Sequence, residues 1–136
     1  MKLETAEKMV GAAMKKAEEL AIPSVIAVVD EGGNLKVLKR MDEAIFGSVD
    51  IAINKAYTAA AANADTEDLG KLAQPGQPLY GLQTANQCRY VLFGGGKVLH
   101  DADGRLAGAI GVSGGTVVQD LAVSQAGADA FISAKD

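Results

Sequence analysis

Apolar residues recur at intervals of three and four from Leu3 to Leu20, which predicts an amphipathic helix. Pro23 ends this pattern, and the β-branched run from Ser24 to Asp30 has the length of a buried strand. Leu35 to Arg40 alternates apolar and basic residues, as a half-exposed strand does. The turn sequence Glu31-Gly32-Gly33-Asn34 separates the two runs, so they are predicted to form a hairpin.

Two further helices and a loop are predicted in the middle of the chain. Gly47 to Asn63 is alanine-rich and helical, with Asp50, Asn54 and Thr58 on one polar face. A short helix follows from Asp65 to Ala73, with Asp65 or Thr66 as its N-cap. The prolines and glycines of Gln74 to Gly81 exclude regular structure there.

The last third of the chain is predicted to contain three short strands and a final helix. The strands are Tyr90 to Phe93, Lys97 to His100 and Leu106 to Val112. The helix runs from about Val117 to Ser133, and Thr116 with Gln119 fits a capping box at its start. No βαβ alternation is present, so we expect one α+β domain, 1–136, with a five-stranded antiparallel sheet and helices on both faces.

Composition narrows the classes of function. With 49% hydrophobic and 22% charged residues in 136, the chain has the balance of a folded globular domain. A net charge of -4 without a basic cluster argues against nucleic-acid binding. No apolar stretch is long enough for a membrane helix, and the first residues lack the pattern of a signal peptide. With a single cysteine, Cys88, no internal disulfide can form, and we expect a cytoplasmic protein.

Two features favour an anion. The turn Gly111 to Thr116 joins a strand to a helix, so its backbone N–H groups either bind an anion or simply form a tight turn. Lys55 lies on an apolar shoulder of its helix, where it either extends towards solvent or an interface, or points into a pocket. Asp30 is a possible counter-ion, although its position favours a role in opening the following turn.

Other candidate residues lie at strand ends and in loops. Arg40-Met41-Asp42 leaves a strand, where ligand contacts and a plain charged exit are equally expected. The loop from Gln74 to Leu82 carries Tyr80 and is a candidate flap, and Arg89 could receive a carboxylate. His100 is the only histidine, which excludes the usual zinc sites and leaves axial haem ligation as the less expected alternative to a structural role. No catalytic residue and no metal site is assigned.

Several motifs occur in the order of a known family. They are Val29-Asp30-Glu31-Gly32-Gly33-Asn34-Leu35, Arg40-Met41-Asp42, Lys55-Ala56-Tyr57-Thr58-Ala59, Phe93-Gly94-Gly95-Gly96, Gly108 to Thr116 and Gln119-Asp120. Together they resemble the GlcG/HbpS family, which is similar to the C-terminal domain of PduO-type cobalamin adenosyltransferases. The run from Gln74 to Gln83 looks most like the OrfY branch, encoded near glycerol and diol utilisation genes. The resemblance implies a three-layer α-β-α, profilin-like fold, homo-oligomers that are often octamers, and haem binding in some members.

The site that we predict combines the residues above with this resemblance. It consists of Arg40, Met41, Asp42, Lys55, Tyr80, Ser113, Gly114, Gly115 and Thr116. For a haem, Lys55 or the Ser113 to Thr116 amides would bind the propionates, and Met41, Phe46 or Tyr57 would form apolar walls. The leading hypothesis is a small-ligand binding module for haem or a corrinoid-related or anionic molecule. The alternatives are an enzyme acting on a small metabolite, with Lys55 as cation or base, and a structural accessory subunit. We also expect a homo-oligomer, a tetramer or an octamer, because the alanine-rich helix has more apolar circumference than one sheet face covers.

Overall fold

The computed structural model describes residues 1–134, in which helices pack around one antiparallel sheet. The helices are α1 (Leu3–Glu19), α2 (Gly47–Ala62), α3 (Thr66–Leu72), the single turn α4 (Ala85–Cys88) and α5 (Val117–Ala134), with a 3₁₀ turn at Leu82–Thr84. The strands are β1 (Val25–Asp30), β2 (Leu35–Arg40), β3 (Gly96–His100) and β4 (Leu106–Ser113). Residues 135 and 136, which end the predicted 1–136 domain, lie outside the described residues.

The four strands are ordered β2-β1-β4-β3, and every neighbouring pair is antiparallel. β1 lies inside the sheet and pairs with β2 on one side and β4 on the other, which makes its apolar run fully buried as far as Val29. The predicted hairpin is confirmed. Its turn is closed by the backbone N–H of Gly33, which donates to the carbonyl of Asp30 at 3.0 Å.

Helices cover both faces of the sheet, because side chains alternate between the faces along each strand. Ile26 and Val28 join α1 and α5 in one apolar cluster. Val25, Ala27 and Val29 join the alanines of α2 in the other. The α+β class with helices on both faces is thus confirmed, as three layers. The alanines let α2 approach so closely that a methyl group on Gly111 of β4 would collide with the carbonyl of Ala52.

The predicted five-stranded sheet is wrong by one strand, because residues 90–93 do not pair with β3 or any other strand. This segment is held by side chains of α2 instead. The Val91 N–H donates to Thr58 Oγ1 at 2.9 Å, and that hydroxyl donates to the carbonyl of Asn54 at 2.6 Å, with the carbonyl of Arg89 3.4 Å away. A run of four apolar residues is too short to distinguish a strand from such an irregular buried segment.

Candidate functional site

The register of the sheet brings two of the predicted site segments to one end. Val25 of β1 pairs with Arg40 on one side and with Ser113 on the other. Both segments then contact the chain just before β1. The Met41 N–H donates to the carbonyl of Ser24 at 3.0 Å, and a methyl group on Gly114 would lie 2.7 Å from Ser24 Cα. The turn after β2 and the turn after β4 therefore flank the same few residues.

The turn after β2 is the more open of the two. Arg40 Nε donates to the carbonyl of Ala44 at 2.9 Å, which folds the guanidinium back over the turn. Two shallow cavities of about 400 and 350 Å³ share Arg40, Met41 and Asp42 in their linings. Met41 packs partly against the core, while Glu43 and Glu18 add negative charge to the cavity walls. The volumes lie within the range of small-molecule sites.

The turn after β4 already holds acceptors from its own chain. The Gly115 N–H donates to Asp120 Oδ1 at 3.0 Å, and the Thr116 N–H donates to Gln119 Oε1 at 2.9 Å. The Gln119 N–H returns a bond to Thr116 Oγ1 at 3.3 Å, so the predicted capping box is confirmed. Two of the amides expected to bind an external anion are therefore engaged by internal side chains. Ser113 is also buried, and its Oγ lies 3.1 Å from the Oγ of Ser48.

Lys55 is fully buried beneath this turn. Its Nζ donates to the carbonyl of Val112 at 2.8 Å and to Asp120 Oδ2 at 3.1 Å, and it lies 5.0 Å from the centre of the Phe93 ring. Burial lowers the pKa of Lys55, and the facing Asp120 carboxylate opposes this change. The ammonium group thus ties α2 to β4 and α5. The alternative in which Lys55 extends towards solvent is therefore wrong.

Asp30 is not the counter-ion of Lys55. It stabilises the β1–β2 turn, the role that its position favoured, by accepting the N–H groups of Gly32 and Asn34 on Oδ1, both at 2.9 Å. Burial raises the pKa of this carboxyl, but the backbone hydrogen bonds from Asn34 and Gly32 outweigh it and leave the pKa below 3.8.

The remaining predicted contacts lie apart from this end of the sheet or point outward. Tyr80 is 67% exposed in the loop after α3, and within residues 1–134 no hydrogen bond, ion pair or ring contact joins it to either turn. Phe46, just before α2, is 81% exposed and lines neither of the two cavities. Tyr57 is engaged elsewhere, since its hydroxyl accepts a hydrogen bond from Asn86 Nδ2 at 2.8 Å.

We call the turn after β2, with Arg40, Met41 and Asp42, and the turn after β4, from Ser113 to Thr116, the sheet-end site. His100 and Cys88 take no part in it. His100 Nε2 lies 2.7 Å from Asn63 Oδ1 at the end of β3, and Cys88 is an exposed free thiol. Among residues 1–134 no three His, Cys, Asp or Glu side chains are grouped as metal ligands would be. Across the same residues, every helix is too short or too polar to cross a membrane.

Asp120 was not predicted as the partner of Lys55. A signal was present, because an acid in the first turn of a helix is stabilised by the helix dipole and can also cap the turn before it. Asp120 uses one oxygen for the Gly115 N–H and the other for Lys55. Its pairing with a lysine 65 residues earlier could not be read from spacing.

The left-handed turn α4 was not predicted either. Asn86, Gln87 and Cys88 have φ values of 53°, 59° and 61°, although none is glycine. Such a conformation costs roughly 1–2 kcal/mol per residue, so surrounding contacts must hold it. Nothing in the local sequence marks three successive left-handed residues.

Comparison with known proteins places this geometry in a family. Residues 1–129 match the family described as "Haem degrading protein HbpS-like", and the chain belongs to this HbpS-like family. It is 46% identical, over 95% of its length and 90% of the relative's, to an uncharacterized 15.0 kDa protein in the dhaT-dhaS intergenic region of Citrobacter freundii.

Two solved structures share the whole fold. The crystal structure of Klebsiella pneumoniae protein ORFY is 44% identical, with a TM-score of 0.93 over 97% of this chain and 90% of that one. A crystal structure of a PduOC:heme complex is 38% identical, with a TM-score of 0.91 over 96% of this chain and 94% of that one. The resemblance stated from the motifs is confirmed.

Proposed function

We propose that this chain is a small-ligand binding module whose ligand is haem, bound at the sheet end beside Arg40, Met41 and Asp42. The single observation that carries the proposal is the similarity of the whole chain to PduOC, a protein crystallised with heme. The description of the family also refers to haem. A corrinoid-related molecule or another small anion is the alternative ligand, since the chain is also 43% identical to part of the corrinoid adenosyltransferase PduO of Citrobacter freundii.

The sheet-end residues have the chemistry that a haem requires. Met41 lines both cavities with a thioether, one of the side chains that bind haem iron axially. The Arg40 guanidinium uses its Nε on Ala44 and keeps its terminal nitrogens for a propionate. Phe46 offers an exposed aromatic face to a porphyrin. Haem, when bound, supplies redox and oxygen chemistry, and the protein residues bind and orient it.

We propose separate roles for the other predicted site residues. Ser113, Gly114, Gly115 and Thr116 form the wall next to the cavities, and Lys55 supports that wall from inside through Asp120. This arrangement disfavours Lys55 as a catalytic base, because its ammonium is ion-paired and buried. Tyr80 remains a proposed flap residue that would have to move towards the ligand.

Haemin titration followed at the Soret band tests the proposal. We expect a saturable red shift with the wild type, weaker binding with Arg40→Gln, and an altered Soret and visible spectrum with Met41→Leu. Arg105→Gln is the matched control, because Arg105 is exposed on the β3–β4 turn. His100→Ala tests the other ligand that the sequence offers. No saturable change with the wild type would remove haem and leave the enzyme and accessory-subunit hypotheses. A spectrum changed only by His100→Ala would move the site to β3.

Four wider statements belong to the same proposal. The chain forms one ligand-binding domain over 1–136, and it is a cytoplasmic protein. It assembles as a tetramer or an octamer, supported by large apolar side chains left exposed, such as Val118 at 76% and Ile132 at 63%. A monomeric mass in light scattering would refute the assembly. An accessory role in glycerol or diol utilisation is supported by the relative from the dhaT-dhaS intergenic region.

A further inference from the structure

Arg89 is held in place on the outer side of α2, away from the Lys55–Asp120 pair. Its guanidinium carbon lies 3.5 Å from the centre of the Tyr57 ring, so the guanidinium packs over the aromatic face. Its Nε donates to Asn54 Oδ1 at 3.3 Å. Asn54 is itself oriented, because its Nδ2 donates to Asp50 Oδ2 at 3.1 Å. Side chains of one helix therefore hold this guanidinium by two contacts, one with an aromatic ring and one with an amide oxygen.

The backbone around Arg89 is fixed just as firmly. The left-handed turn α4 immediately precedes it, and Asn86 of that turn donates to the Tyr57 hydroxyl at 2.8 Å. Thr58 Oγ1 lies within hydrogen-bond distance of the Arg89 carbonyl and of the Val91 N–H. Tyr57 thus serves two purposes, since its ring carries the guanidinium and its hydroxyl anchors the strained turn. These contacts hold the backbone of Arg89 in one position.

The edge of the guanidinium that carries the two terminal nitrogens is not used by the contacts above. Within residues 1–134 neither terminal nitrogen of Arg89 has a hydrogen-bond partner, and no carboxylate lies within ion-pair distance of it. The side chain is half-buried, so this edge is the part that remains available to a ligand. Two parallel N–H groups in a fixed plane match the two oxygens of a carboxylate.

We propose that Arg89 is the anchor of a second ligand site, which binds the carboxylate of a small molecule through its two terminal nitrogens. A carboxylate suits the site better than a phosphate, because Arg89 is the one cation that residues 1–134 contribute to the cluster and Asp50 adds a negative charge to it. The site is distinct from the sheet-end cavities, whose linings do not include Arg89. It does not depend on haem binding.

Side-chain NMR of the arginine Nε–Hε groups tests this directly, with acetate as the probe. The chain has only three arginines, and the exposed Arg105, which belongs to neither proposed site, provides an internal control in the same spectrum. We expect acetate to shift the Arg89 signal saturably at concentrations on the order of millimolar, as a single charged contact gives. Sodium chloride at equal ionic strength should leave it in place. Phosphate should bind more weakly than acetate.

Variants of Arg89 and Tyr57 distinguish the residue that binds the carboxylate from the residue that holds it in place. Arg89→Lys keeps the charge but loses the planar pair of donors, and we expect acetate affinity, read from the neighbouring backbone amides, to fall about tenfold. Tyr57→Leu should weaken binding to Arg89, while Tyr57→Phe, which keeps the ring and loses only the hydrogen bond from Asn86, should weaken it less. The circular dichroism of each variant shows whether it folds. An Arg105 signal that shifts as much as that of Arg89, tighter binding of phosphate, or unchanged affinity in Arg89→Lys would each overturn the proposal.

Discussion

Removing the charge of Lys55 tests whether its buried ion pair with Asp120, which joins α2 to α5, stabilises the fold. The Lys55 side chain is 1% exposed and that of Asp120 is 5% exposed. In Lys55→Met the aliphatic stem is kept, but the Asp120 carboxylate and the Val112 carbonyl lose their buried partner. Breaking one side of a buried pair costs about 3–5 kcal/mol. We expect a loss of unfolding free energy of this size, most of it from the unpaired carboxylate.

Urea unfolding followed by circular dichroism measures this loss in a double-mutant cycle. Asp120→Asn keeps an acceptor for the Gly115 N–H, so Lys55→Met with Asp120→Asn should be less destabilised than the sum of the single variants, by about 1–3 kcal/mol. Lys97→Met is the control, because the Lys97–Asp65 pair is partly exposed and should contribute at most about 1 kcal/mol. A Lys55→Met loss no larger than that of Lys97→Met, or strict additivity in the cycle, would refute the reasoning.

Three further predictions concern stability. Because hydrogen bonds hold the pKa of Asp30 below 3.8, the wild type should be more stable than Asp30→Asn at neutral pH, and the difference should vanish as the pH falls through the folded pKa; a difference independent of pH in urea unfolding would contradict this. Gly111→Ala should lower the unfolding free energy by about 1–3 kcal/mol or more, since the new methyl group would lie 2.5 Å from a backbone nitrogen of α2. Gly11→Ala, at an open position of α1, should raise it by about 0.5–1 kcal/mol, and the same sign for both glycines would be evidence against this packing. Thr116→Ala should cost about 1 kcal/mol through loss of the capping box, measured as a lower thermal midpoint; an unchanged midpoint would contradict it.

Local patterns predicted most of the fold because they are enforced by local chemistry. The hairpin follows from a turn sequence between a β-branched run and an alternating run, and the start of α5 follows from Thr116 and Gln119. The segment 90–93 was misassigned because its partner is a threonine hydroxyl on α2 and not another strand. Asp65 shows the same effect. It stands at the N-cap position of α3, but its carboxylate accepts the Val98 N–H of β3 at 2.9 Å and does not cap the helix.

The candidate site was harder to predict, because its residues meet only through the topology of the sheet. Arg40 and Ser113 are 73 positions apart in the sequence and become neighbours of Val25 through two separate strand pairings. The helical wheel correctly placed Lys55 on the apolar side of α2. It could not show that the space in front of the ammonium is closed by Val112 and Asp120.

The same close packing indicates where ligands can bind. A methyl group on Gly95 would lie 2.7 Å from Lys55 Nζ, and one on Gly96 would lie 2.5 Å from the Lys55 carbonyl. The space between α2 and the sheet is therefore filled by backbone and by a buried ion pair, and it has no room for a haem or a carboxylate. Ligands therefore have to bind at the edges or on the outer side of the α2 layer, which we call its margins. The turn after β2 and the outer side of α2 are two such margins, and each presents an arginine whose Nε is bonded within the chain, which is why we propose the two ligand sites there.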